Sequence, residues 1–252
     1  MGLVRVNLTL AGVVALLALV VLYGSDPARE SAPEPLTVLN PEAVRHIRID
    51  RGADDALAFE RNAEGWGMTV PYRIAANRDK LQALARIASA PSHRSFPAGQ
   101  TDPAELGLAP APLHLELNGL TLEVGGTEPI RRRRYVRLEG RIHLIDDLFQ
   151  HHLLAAFEAF VAPTPFPTAI QSATLDGAPL TPQALHFLTN VQVRKVQSDD
   201  PPEGSHRLEV RMEGTQSPLR FSLETEGERL WREHPPLLYR LETPVTPDLL
   251  RE

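Results

Sequence analysis

The residues best equipped for chemistry lie near the middle of the chain. Arg131-Arg132-Arg133-Arg134 is the densest positive charge. Four guanidiniums suit an anion: a lipid phosphate, a polysaccharide carboxylate or a partner's acidic face. In an extended run only two of them point the same way. A solvated hairpin connection is the plainer and favoured reading. Just downstream, His143, Asp146, Asp147, His151 and His152 gather imidazoles and carboxylates. On a helix Asp147 and His151 are i,i+4 neighbours, a spacing that lets two side chains share a metal. Two ligands do not make a site and spacing supplies no third, so no metal site is assigned. Helix capping accounts for the aspartates equally well. Trp66 and Trp231 offer aromatic faces for a partner or a sugar groove, with packing in the core or at its rim as the simpler role.

Catalytic signatures are missing from the rest of the sequence. Gly-x-Ser-x-Gly, Ser-x-x-Lys and His-Glu-x-x-His do not occur. Gly125-Gly126-Thr127 lacks the lysine and the following helix of a phosphate cradle. No catalytic residue and no cofactor is therefore assigned. The 252 residues contain no Cys, which excludes disulfides, thiolate zinc sites, iron–sulfur centres, cysteine nucleophiles and lipoprotein acylation. A formal charge of −6 argues against nucleic acid as a partner.

The elements that must position these groups begin with a membrane signal. Val6 to Tyr23 is an uncharged apolar run of 18 residues. At about 1.5 Å per residue it reaches roughly 27 Å, enough to span a hydrocarbon core. A cleaved signal peptide needs small residues three before and one before the cut. Leu22, Tyr23 and Asp26 stand three before the cuts that Gly24, Ser25 and Ala28 would allow, so an uncleaved signal-anchor is favoured. Cleavage would instead release a secreted soluble protein. Arg5 lies before the run, and Asp26, Arg29 and Glu30 lie after it. The positive-inside rule then puts residues 1–5 in the cytoplasm, the span at 6–23 and the remainder outside. In a bacterium this is a single-pass inner-membrane protein with a periplasmic C-terminal domain. Residues 24–43 read as a Pro-rich linker.

From Val44 onward the pattern is mixed. Val44 to Ile49, Ala56 to Arg61 and Gly65 to Val70 read as strands. Leu81, Leu84, Ala85, Ile87 and Ala88 share a helical face behind an Asn77 cap. Asp102-Pro103 opens a one-turn helix. Leu113 to Leu117 and Leu120 to Val124 alternate strictly around Asn118-Gly119. Tyr135 to Leu138 and Arg141 to Ile145 form a second hairpin, and Asp146 or Asp147 caps a helix through about Phe160. After Pro163 to Pro167 the order recurs: strand 169–175, helix 181–190 and alternating strands to Leu241. The expected fold is thus α+β: an N-terminal transmembrane helix, then two similar mixed subdomains, 44–162 and 163–252, of antiparallel hairpins with packed helices.

Ile47-x-Ile49, Gly65-Trp66 with Pro71, the helix from Asn77, Asp102-Pro103 with Leu106-Gly107-Leu108, Val124-Gly125-Gly126 and Tyr135-Val136 together carry a resemblance. The chain resembles the domain-of-unknown-function 4340 family of bacterial envelope proteins, best over about 44–160. The second half is shorter than the family's, and Arg131–Arg134 departs from its pattern. Family members are often encoded beside ABC-type transport components, and the resemblance implies a membrane-complex accessory role. It supplies no catalytic residues. The expected function is a membrane-anchored periplasmic binding or scaffolding protein, not an enzyme. Its partners would be the inner membrane and other envelope or ABC-type transporter proteins. The alternative is an envelope carbohydrate-binding module or hydrolase.

Overall fold

Alternating burial organises most of this chain. In the computed structural model, which describes residues 33–52, 55–215 and 217–251, two antiparallel sheets carry the fold. The expected cytoplasmic residues 1–5 and transmembrane segment 6–23 lie outside the described residues. Among those described, no helix is long and apolar enough to cross a membrane.

The first sheet has ten strands: β1 (Glu34–Pro35), β2 (His46–Asp50), β3 (Ala56–Asn62), β4 (Gly65–Val70), β5 (Ile74–Ala75), β6 (Pro91–Pro97), β7 (Leu113–Leu117), β8 (Leu120–Thr127), β9 (Arg133–Leu138) and β10 (Arg141–Asp146). Strands β7 to β10 form a meander. Strand β2 pairs beside β7, and β3, β4 and β5 extend the sheet beyond it. Strand β6 returns to pair with β10 at the other side, and β1 pairs outside β6. Strand β7 shows the cause: Leu113, Leu115 and Leu117 are buried while His114 and Glu116 turn to the other face. Asn118 and Gly119 both take positive φ, 51° and 86°, as a two-residue turn between twisted strands requires. Asn118 also accepts the N–H groups of Arg45 and His46, so the turn pins the start of β2.

The second sheet has seven strands: β11 (Ile170–Leu175), β12 (Ala178–Pro179), β13 (Val193–Gln197), β14 (His206–Met212), β15 (Leu219–Leu223), β16 (Arg229–Arg232) and β17 (Leu237–Leu241). Its connectivity repeats the central part of the first, without counterparts of β1, β4 and β5. Strands β14 to β17 form the meander, β11 pairs beside β14, β12 extends beyond it, and β13 returns to pair with β17. Helix Pro182–Thr189 precedes β13 as helix Arg78–Ala85 precedes β6. One hydrophobic cluster runs through both units, with Phe59 against Phe160 and Phe166 against Phe221, each with ring centroids 5.2 Å apart.

The α+β architecture expected from the sequence is overturned: the fold is mostly antiparallel sheet, not helices packed on mixed subdomains. The longest described helices, Arg78–Ala85 and Pro182–Thr189, have only eight residues each. Their caps form as the residue types dictate, with Asn77 accepting from Asp79 and Lys80 and Thr181 from Ala184. The helix expected through Phe160 does not form as one element. Asp146 stays in β10, Asp147 is engaged elsewhere, and Phe149 offers no side-chain cap, so only Gln150–Leu153 is α-helical. Ala156 is extended, and Phe157–Phe160 is a separate 3-10 turn. The linker expected to run to residue 43 is also shorter. Leu36 is buried, its N–H donates to Ala90, and Glu34–Pro35 already pairs with β6.

Strand directions define two ends of the first sheet. At the upper end lie Asp50, Ala56, Val70, Pro91, Leu113, Thr127, Arg133 and Asp146. The lower end carries the Asn62 to Gly65, Asn118-Gly119 and Glu139-Gly140 turns and the Ala98–Gln100 turn.

Candidate functional site

The main candidate is a cavity of about 430 Å³ on the inner face of the first sheet, at its upper end. Its floor is built from alternate residues of four adjacent strands: Leu113, Leu122 with Val124, Val136 and Ile145. Ile87, Phe149 and Leu153 cover it. Asp55, Pro112, Gln150 and Leu154 are its exposed lining residues and mark its mouth. A pocket of this size and apolar lining is within the usual range for small ligands or an inserted side chain.

Two arginines frame the cavity. Arg134 holds Asp147 in a two-pronged pair, Nε to Oδ1 at 3.1 Å and Nη2 to Oδ2 at 2.6 Å. Its Nη1 donates to the Gly125 carbonyl at 2.9 Å. Arg51 is nine-tenths buried in its side chain. Its Nη1 donates to the Leu153 and Ala155 carbonyls at 3.1 and 2.7 Å, and its Nη2 to Asp55 at 2.7 Å. Arg51 thereby ties the covering segment to the end of β2. Both arginines are engaged by carboxylates and carbonyls, the buried Arg51 Nε alone has no partner, and the rest of the interior is mostly apolar.

The arginine run is split by strand geometry. Arg131 and Arg132 are exposed in the β8–β9 loop, where the Arg131 N–H donates to Glu128 and Arg132 takes φ 55°. Arg133 pairs across to Asp146, with Nε 3.7 Å from Oδ1, while Arg134 faces the cavity. The histidines and aspartates disperse as well. Asp146 also meets His93 Nε2 at 3.0 Å, and His143 Nδ1 lies 2.9 Å from Ser92 Oγ. The His151 and His152 rings meet at a tilt with centroids 3.9 Å apart, and neither lines the cavity. Among the described residues no group of three or more His, Cys, Asp or Glu is placed to hold a metal. Trp66 is buried in the core, its Nε1 without a partner, whereas Trp231 is half-buried on the second sheet with Nε1 donating to Asp199. They share no groove.

Burial holds the His143 imidazole below its ordinary value, and the Arg141 charge adds to that. Burial likewise depresses His152, helped by His151 and Lys80. The folded chain therefore binds fewer protons than the unfolded chain just below about pH 6.5. This contribution to stability is complete above that pH and is lost as pH falls through the folded values. His143→Gln is expected to reduce the drop in urea midpoint between neutral pH and about pH 5. An unchanged drop would show that His143 carries none of it.

Sequence reading assigned no role to Arg51 or Asp55. Their i,i+4 spacing is a weak local signal. The contacts that matter, to Leu153 and Ala155, span 102 and 104 residues and have none.

Some of the residues behind the family resemblance, Leu106, Leu108 and Tyr135 with Gly125 and Gly126, come together on the outer face of the same sheet, whereas Ile47, Ile49 and Trp66 lie in the main core. The Asp102 to Leu108 turn packs on the Gly125-Gly126 bulge, where Gly126 N–H donates to Leu106 at 2.8 Å. Leu106, Leu108 and Ile142 form a small cluster there with Phe96 and Tyr135. No curated protein and no solved structure matches this chain. The family's sequence pattern matches residues 66–200, more than half of the chain, so the protein belongs to the family described as Domain of unknown function (DUF4340).

Proposed function

We propose that the protein is a membrane-anchored periplasmic binding or scaffolding subunit, accessory to an envelope or ABC-type transport assembly and acting without catalysis. The observation that carries this reading is the cavity. Its walls are apolar, its charged groups are already paired, and it lies under a short covering segment rather than beside a positioned nucleophile and base. Such a pocket suits an apolar side chain of a partner. The anchor at 6–23 would hold the domain at the bacterial inner membrane and raise its effective concentration near a membrane-bound partner.

A photo-crosslinking residue at Leu154, placed in the full chain in cells, tests this. The expected adduct contains an ABC-type or other envelope component and disappears when Val124→Phe fills the cavity. Circular dichroism of Val124→Phe checks that it folds. An adduct indifferent to the filled cavity would overturn the reading.

The carbohydrate-binding alternative has one observation in its favour. Trp231 lies with Arg207, Arg220 and Glu233 around a depression of about 300 Å³ on the second sheet. Quenching of tryptophan fluorescence by cell-wall oligosaccharides, absent in Trp231→Phe, would support it.

A further inference from the structure

We propose that the upper end of the first sheet is a bilayer-contact surface, seated on the headgroup layer of the membrane that residues 6–23 would enter. The inference rests on the anchor reading above and adds the part of the fold that meets lipid. Isolated exposed apolar residues are common on proteins and mean little. Here their distribution is the observation. Ile130, Leu148 and Leu154 are 86%, 68% and 57% exposed, and Val70 and Tyr72 are each 37% exposed. All five lie at the upper end; two further exposed apolar side chains among the described residues, Val38 at 105% after β1 and Phe187 at 42% on the helix Pro182–Thr189, stand outside this set. Val70 ends β4 and Tyr72 stands in the turn after it. Ile130 tips the β8–β9 loop, Leu148 follows β10, and Arg51 holds the residues on either side of Leu154 against the end of β2. The turns of the lower end present Asn62, Glu64, Gln100, Asn118 and Glu139 instead.

Charge and tether point the same way. Ile130 is followed by the exposed Arg131 and Arg132, so an apolar tip sits beside guanidiniums that anionic headgroups attract. Tyr72 is of the type enriched at membrane interfaces. Only nine residues, Gly24 to Ala32, separate Tyr23 from the first described residue. Fully extended they reach about 30 Å. The chain then enters at β1, whose residues Glu34 and Pro35 pair with Ser92 and Pro91 near the upper end and run toward it. A short tether thus brings this end, with its apolar side chains, within reach of the bilayer.

The absence of Cys makes the test direct. Single variants Ile130→Cys, Leu148→Cys, Glu64→Cys and Gln100→Cys of the full chain are labelled with an environment-sensitive fluorophore. They are reconstituted in vesicles of phosphatidylethanolamine and phosphatidylglycerol carrying a spin-labelled lipid. Labels at 130 and 148 are expected to be quenched severalfold more than those at 64 and 100. Replacing Arg131 and Arg132 by Ser should weaken quenching at 130 when phosphatidylglycerol is present and leave it unchanged in phosphatidylcholine. Equal quenching at all four positions, in protein that survives an alkaline wash, overturns the seating and leaves the anchor standing. A label at 130 shielded from both lipid and aqueous quenchers overturns it in favour of a protein partner. Recovery in the alkaline supernatant overturns anchor and seating together.

Discussion

Gly125→Ala is expected to lower the melting temperature of the detergent-solubilised full chain by about 5–10 °C, the consequence of overpacking by about 2–3 kcal/mol in a domain of this size. The cause is space, not backbone freedom. A Cβ at this position would lie 2.6 Å from the Leu106 carbonyl oxygen and 2.8 Å from Leu108 Cγ. The carbonyl cannot easily withdraw, because it accepts the Gly126 N–H at 2.8 Å. On the opposite side, the Gly125 carbonyl receives Arg134. One residue therefore joins the outer Asp102 to Leu108 turn to the inner cavity wall, and displacement of either disturbs both. Gly99→Ala is the control, since a Cβ there meets nothing within 4 Å. Equal melting temperatures for the two variants would refute this account.

Breaking the Arg134–Asp147 pair has the second large expected effect. Their side chains are 14% and 21% exposed, so solvent screens them only in part. Removing one partner from a fully buried pair typically costs about 3–5 kcal/mol, and partial exposure reduces that here to about 1–3 kcal/mol. Arg134→Met and Asp147→Leu should each lower the urea midpoint by the corresponding amount. Arg134→Met also leaves the Gly125 carbonyl without its donor. The double variant should recover much of the loss, because neither charge is then stranded beside an apolar cavity. Strictly additive losses would mean that the pair is not coupled and that its geometry contributes no more than a surface contact.

Legibility followed the apolar pattern. Leu113 to Val124 could be read as a hairpin because every second residue is apolar and Asn-Gly is a two-residue turn in its own right. The strand Pro91–Pro97 could not. It reads Pro-Ser-His-Arg-Ser-Phe-Pro, no residue of it is fully buried, and its place is set by hydrogen bonding to β10. Val193–Gln197 was hidden for the same reason. The stretch from Phe149 to Phe160 carries helix-like spacing, yet its aromatic and leucine side chains pack in pieces over the cavity and against β3 and Tyr72. Tertiary contact overrode local period there. The arginine run was legible as charge but not as two separate pairings, because Asp146 meets Arg133 and Asp147 meets Arg134 only once β10 is placed beside β9. The cavity itself left no trace in the sequence, since its floor is drawn from four strands between Leu113 and Ile145, and the Arg51 bonds that hold its cover to Leu153 and Ala155 span 102 and 104 residues.

Strands β1, β5 and β12 end their sheets with two residues each, and Pro35 and Pro179 stand in two of them. A two-residue border offers almost no backbone for an incoming chain to zip onto, and a proline removes a donor from what remains. Recognition by strand addition is closed at three of the four margins. The fourth, β13, presents Arg194 and Lys195, both exposed, which discourage casual pairing. Edge-to-edge pairing of copies is thus disfavoured, and a partner gains more by gripping side chains than by extending the sheets.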